Sequence, residues 1–197
     1  AKRFYGGLFD WTFRDFEVGR DGSYTVIYNG ETPIGGIVDA RQFNAGINVS
    51  QWIPVLSVTD VDAAVATTLA AGGRTFADPV DIEGRGRMAV IGDPQGAVMS
   101  LLRSASGDPR YDNLSIGGFV WNEIWTDNIP GALDFYSRVA GYNRAQASIR
   151  DGETYHYLSQ ATVPVAGVLQ NPIPDLRTSW ASYIGVRDVD DILTRVE

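Results

Sequence analysis

The chain has 197 residues, with 44% apolar, 11% aromatic and 20% charged side chains, enough to fill a core and too aromatic for a disordered segment. Sixteen basic against 24 acidic residues give a net charge of −8, which argues against a nucleic-acid partner, and no apolar run reaches the ~18 residues of a membrane span. The absence of cysteine removes disulfides, thiolate metal sites and Cys nucleophiles, and the single His156 removes every His-rich metal box.

Taken in chain order, Phe4, Tyr5, Leu8 and Phe9 have helical spacing. Ser23–Tyr28 and Thr32–Val38 read as strands, as does Trp52–Val58, which runs into a helix capped by Asp60 with Val61, Val65 and Leu69 on one face and Gly72-Gly73 as its stop. Arg87–Gly92 and Ala97–Leu102 form a hairpin around the turn Asp93-Pro94-Gln95-Gly96. Phe119–Trp125 is a strand bounded by glycines and by Asp127-Asn128. Pro130 then starts an amphipathic helix with Leu133, Tyr136 and Val139, and Gly141 ends it. Thr154–Leu158, Val163–Leu169 and Trp180–Val186 are strands, and Asp188 caps a last helix with Val189, Leu193 and Val196.

The second half of this order repeats the first. An offset of 131 pairs Phe4-Tyr5 with Phe135-Tyr136, Tyr24 with Tyr155, Pro33 with Pro164 and Gly36 with Gly167. Arg20-Asp21-Gly22 matches Arg150-Asp151-Gly152 one residue out of step. Beyond a three-residue deletion, Trp52-x5-Val58-x-Asp60-Val61-Asp62 matches Trp180-x5-Val186-x-Asp188-Val189-Asp190. Such register implies an internal duplication: a first module over 1–103, a linker over 104–115 and a second module over 116–197. Each copy reads β-α-β-β twice. Both ends fall inside a helix of the repeat, so an intact chain of about 250 residues is expected, with any targeting signal in the missing N-terminal piece. The compartment is therefore open between cytoplasm and bacterial envelope for what reads as a soluble body, and self-association is open too.

The Phe-Tyr helix ending at Gly141-Tyr142, the Val-x-Asp-Val-Asp-Ala joint, Gly72-Gly73 and Asp93-Pro94-Gln95-Gly96 before a strand together resemble the vicinal oxygen chelate superfamily of glyoxalase, bleomycin-resistance and dioxygenase proteins. The run Asp81-Ile82-Glu83-Gly84-Arg85-Gly86-Arg87-Met88-Ala89-Val90 is similar to its two-module, glyoxalase-like branch. The resemblance covers nearly the whole chain and implies an α+β fold: tandem βαβββ modules forming curved mixed sheets, helices on the outer face, both chain ends truncated within a module. It also implies a divalent metal held in a cup of curved strands. Carried over, the ligand slots fall on Trp121, Ile53, Ala181 and Ser100, of which only serine has a side-chain oxygen, and a poor one. No metal and no cofactor is expected from these residues.

Alternation assigns the cup face. With Trp121 facing it, Glu123 and Trp125 do too, while Val120, Asn122 and Ile124 back onto a helix. Val55 and Ser57, Tyr183 and Gly185 join them, and Leu56, Val58, Ile184 and Val186 pack under helices. The ligand-binding candidates are thus Trp121, Glu123, Trp125, Val55, Ser57, Tyr183 and Ser100, an aromatic cup with one carboxylate that suits an apolar or weakly cationic organic molecule. The alternative is that Trp121 and Trp125 plug the cup as core. Glu123 is a candidate general base, or else pairs with Arg85 or Arg87. His156 reads as a solvated strand position, and Arg85-Gly86-Arg87 as a glycine loop or an anion grip. Three functions stay open: metal-free binding of a small molecule, a metal-dependent lyase, isomerase or dioxygenase with ligands in the missing strands, and a structural or interaction protein.

Overall fold

The structure is a computed structural model that describes residues 1–18, 22–39, 50–108 and 115–196. In chain order these form α1 (Lys2–Phe9), β1 (Thr12–Val18), β2 (Gly22–Asn29), β3 (Thr32–Val38), β4 (Val55–Ser57), α2 (Val61–Ala70), β5 (Arg74–Ile82), β6 (Gly86–Gly92) and β7 (Val98–Ser104). There follow β8 (Phe119–Thr126), α3 (Ile129–Ala140), β9 (Asn143–Ser148), β10 (Thr154–Gln160), β11 (Val163–Gln170), β12 (Ser179–Ile184) and α4 (Val189–Val196). The order is that of βαβββ modules in an α+β fold. Residues 109–114 of the expected linker, and Arg20-Asp21 of the repeat, lie outside the described residues. Among the described residues no helix is long and apolar enough to cross a membrane.

Two compact units emerge. One takes Ala1–Ser50, Arg110–Val120 and Tyr183–Glu197, the other Gln51–Pro109 and Trp121–Ser182, so each draws on both copies of the repeat.

In the first unit β1, β2 and β3 form an antiparallel sheet in that order. Its buried apolar residues include Leu8, Trp11 and Ile27. Trp11 stacks among Tyr5, Phe9 and Phe119 and donates its indole N–H to the Gly117 carbonyl at 2.7 Å. Helix α4 keeps its Asp188 cap, whose carboxylate accepts from the Asp190 amide at 2.9 Å. The apolar stripe expected to bury it does not: Val189, Leu193 and Val196 are all exposed, although the equivalent Val61, Val65 and Thr68 of α2 are buried under strands.

The second unit holds two sheets, β4-β7-β6-β5 and β12-β8-β11-β10-β9, with β4 parallel to β7 and β8 parallel to β11. Asp60 caps α2 by accepting from the Ala63 amide at 3.0 Å; Asn128 caps α3 in the same way, and Gly141 ends α3 in the left-handed region at φ 69°. A single apolar core gathers Val61 and Val65 of α2, Ile91 of β6, Met99 and Leu101 of β7, Ile124 of β8, Phe135 and Tyr136 of α3, and Leu158 of β10. Leu69, expected in the buried stripe of α2, is 53% exposed, and Thr68 takes the inner place, fully buried with its hydroxyl on the Ala64 carbonyl.

Strands β1, β5 and β9 follow their helices and escape the reading in chain order. Each lies at a sheet edge, where only one side needs apolar cover: β1 and β9 are polar in sequence, and β5 carries Pro79 beside a break in register.

Candidate functional site

The alternation of β8 sorts its side chains as its burial requires. Ile124 faces α3 with no exposed surface, and Trp121, Glu123 and Trp125 share the opposite face. Register extends that face over the neighbouring strands. Gly167 of β11 lies beside Glu123, and Leu169 beside Trp125; on β10, Tyr157 lies beside Gly167, with Tyr155 one step along the same face and Ala147 and Ala145 beyond them on β9. Tyr155 and Tyr157 stack with centroids 6.4 Å apart.

At the centre sits a buried carboxylate, Glu123 being 8% exposed. The Trp121 indole N–H donates to Tyr155 Oη at 2.8 Å, and the Tyr155 hydroxyl donates to Glu123 Oε1 at 2.7 Å. The Trp125 indole N–H points at Glu123 Oε2 from 3.5 Å. A buried carboxylate requires such donors, because unmade hydrogen bonds there are costly. Tyr155 and Gly167, key to the arrangement, were legible only as landmarks of the repeat; the alternation of β10 was the signal that could have placed Tyr155 on the face.

Val55, Ser57 and Ser100 lie elsewhere. Val55 and Ser100 are register partners across β4 and β7 in the other sheet, Val55 half exposed and Ser100 buried. The Ser57 hydroxyl donates to Asp108 Oδ1 at 2.6 Å and lines an open cleft of about 440 Å³ between α2 and the end of α3. Tyr183 belongs to the first unit. Trp121, Glu123 and Trp125 are thus brought together on one face, Val55, Ser57 and Ser100 lie in the other sheet, and Tyr183 is on β12, the strand next to β8.

Arg87 does not pair with Glu123. Its guanidinium forms ion pairs with Asp62 at 2.6 Å and Asp81 at 3.0 Å, and its hydrogen bonds hold the Asp62 carboxyl below the usual aspartate range. It lines a second open cleft, about 410 Å³, with Asp81, Glu83, Gly84 and Arg103. His156 is half-buried rather than solvated, its position on β10 placing it with Leu158 on the helix side, opposite Glu123. One more buried acid, Asp93 of the β6–β7 turn, accepts from the amides of Gln95 and Ala97 at 2.9 Å and from the Tyr136 hydroxyl at 2.9 Å. Burial raises the pKa of Asp93 against these hydrogen bonds. Burial, and then the carboxylate beside it, push Tyr136 well above the usual phenol range.

The metal implied by the resemblance finds no donor set among these residues. Trp121 commits its N–H to Tyr155, Ile53 and Ala181 have no side-chain donor atom, and Ser100 is buried in a different sheet from Trp121. Among the described residues no three His, Cys, Asp or Glu side chains gather as metal ligands do.

No family model matches the chain. It is 32% identical over 192 residues to "Putative glyoxylase CFP32" of Mycobacterium bovis and of Mycobacterium tuberculosis, the match covering 96% of this chain and 73% of the relative. It is 28% identical over 204 residues to the anthracycline biosynthesis protein DnrV of Streptomyces peucetius, covering 98% of this chain and 74% of that protein. Among solved structures it resembles an Mn(II)-bound glyoxalase from Novosphingobium aromaticivorans, with a TM-score of 0.58 at 15% identity over 98% of this chain and 62% of that one. An extradiol ring-cleaving dioxygenase from B. fuscum gives a TM-score of 0.54 at 16% identity, over 86% of this chain and 49% of that one. The chain thus spans about half the length of that dioxygenase. At these identities the two structures speak for the fold alone.

Proposed function

This chain belongs to the vicinal oxygen chelate superfamily, and from that footing we propose that it binds a small organic molecule without a metal, on the aromatic face of β8, β10 and β11 around Glu123. The observation that carries this reading is the buried Glu123 carboxylate flanked on its own strand by two tryptophans and held by Tyr155. Binding sites combine apolar walls with few, well-placed polar groups. Residues without metal-ligand chemistry at the superfamily's slots support the metal-free part. A relative named for anthracycline biosynthesis makes polycyclic aromatic compounds the first ligands to test.

The test is a titration of the chain with daunorubicin, followed by thermal unfolding and calorimetry, beside elemental analysis of the purified protein. Saturable binding that raises the unfolding temperature and survives chelator treatment is expected, since a ligand of the native state must stabilise it. Stoichiometric zinc, manganese, iron or nickel, with binding abolished by chelator, would favour the metal-dependent lyase or dioxygenase reading. A polycyclic panel without saturable binding would leave the face as core.

A further inference from the structure

The helix-facing side of β7 carries Met99 and Leu101 in the core and then Arg103, where the row comes out to solvent. Arg87 of β6 is its register partner, so two guanidinium groups stand side by side on neighbouring strands, a pairing that repels unless acids compensate it. Arg87 is compensated: it holds Asp62 through two hydrogen bonds and Asp81 through a third. Arg103 has no such partner. Among the described residues it makes no hydrogen bond or ion pair, and its attraction to Asp62 acts only through space.

The same guanidinium lines the cleft of about 440 Å³ between α2 and the end of α3, a volume in the range of small-molecule sites. The floor of this cleft is apolar, with Val58, Ala64 and Val139 all buried. Its other charged groups are engaged within the fold: Asp60 caps α2, Asp108 accepts from Ser57, and Arg138 pairs with Asp134. The cleft of about 410 Å³ that Arg103 also lines differs, because Asp81 and Glu83 stand in it. We propose that the larger cleft binds a small organic monocarboxylate, its apolar body on the floor and its carboxylate forked onto Arg103. A guanidinium presents paired N–H groups that match two carboxylate oxygens, and the match supplies the counter-charge that the Arg87–Arg103 neighbours lack. Asp60 and Asp108 keep their negative charge while hydrogen-bonded, so a dianion such as a phosphate monoester is repelled where a single carboxylate is accepted.

Calorimetry on the full chain with three probes of one frame tests this: phenylacetate, its neutral amide phenylacetamide, and phenyl phosphate, at about pH 8, where the phosphate ester is a dianion. Phenylacetate is expected to bind at one site and roughly tenfold tighter than either of the others. Arg103→Gln should remove that preference, while Arg177→Gln, at an exposed arginine lining neither cleft, keeps it. Equal affinities for acid and amide, tighter binding of the phosphate, a preference that survives Arg103→Gln or is lost in Arg177→Gln, or the absence of saturable binding by phenylacetate overturns the proposal. The ranking on the unmutated chain needs no variant to fold, and none of these outcomes bears on the reading of the Glu123 face.

Discussion

Tyr155 lies across Gly167. A β-carbon at Gly167 would stand 2.1 Å from the tyrosine hydroxyl and 2.9 Å from Glu123 Cγ, so the absence of a side chain on β11 lets a residue of β10 reach a residue of β8. The first copy of the repeat has the same device: a β-carbon at Gly36 would stand 2.0 Å from the Tyr24 hydroxyl. The break in register recurs too, between Ile27 and Tyr28 and between Leu158 and Ser159. An aromatic ring covering a strand glycine, next to a bulge, is a known means of bending a sheet. What the duplication preserves is therefore a way of curving strands, and in the second copy the tyrosine also serves the carboxylate.

Gly167→Ala should displace Tyr155 and cost roughly 1–3 kcal/mol, as overpacking does in a fitted interior. Tyr155→Phe keeps the ring and loses the hydrogen bonds to Trp121 and Glu123, so a smaller loss of about 1 kcal/mol is expected. Urea unfolding of both variants gives the comparison. An alanine variant as stable as the parent would mean that the ring has room to lie elsewhere.

The Asp93–Tyr136 pair makes stability depend on pH. Burial raises the Asp93 pKa, so between the ordinary aspartate range and the raised value the native state holds more protons than the unfolded chain. The Asp93 contribution to stability then falls as pH rises through that window and is greatest below it. Tyr136 acts in the same sense at alkaline pH: the unfolded phenol ionises near pH ~10 while the buried one does not, and stability falls again. Unfolding midpoints across pH should show both declines, with Asp93→Asn removing the acid-side component and Tyr136→Phe the alkaline one. An unchanged profile in Asp93→Asn would assign the acid-side decline to other groups.

Sequence patterns revealed the repeat, the helix caps and the face of β8, because each rests on local chemistry: a carboxylate over free amides, a glycine at a left-handed stop, alternation along one strand. They did not reveal which strands lie side by side. Val55, Ser57 and Ser100 fit a cup face by alternation alone, yet β4 and β7 pair with each other in a sheet that excludes β8. Tyr155 reaches Glu123 only through the order β8-β11-β10, which follows from the parallel pairing of β8 with β11 and from no short-range signal. Arg87 looked available to Glu123 in sequence, but its position on β6 opposite Asp81 and under Asp62 commits it to them.

Replacing that arginine separates the two acidic centres. Arg87→Gln should let the Asp62 carboxyl return upward toward the ordinary range, since the guanidinium is the main cause of its depression. The sign follows: the Asp62 contribution is present above the unfolded pKa and lost as pH falls, so the parent loses it in acid and the variant has none to lose. NMR titration of Asp62 measures the shift. On the proposed function, binding at Glu123 should be unchanged in the same variant, and weakened binding would show that Arg87 reaches it after all.

The face of α2 offers a last quantitative contrast. Spacing by fours puts Val61, Val65 and Leu69 in one stripe, but at 100° per residue that stripe drifts by 40° each step, and Leu69 comes out beside the core while Thr68 stays within it. Val65→Ala removes two methyl groups' worth of buried surface and should cost ~2 kcal/mol. Leu69→Gln, at a side chain more than half exposed, should stay within about 0.5 kcal/mol of the parent. Thermal or urea unfolding of the pair decides it. Were Leu69→Gln the more damaging change, the inner face of α2 would have to be turned toward Leu69 and away from Thr68.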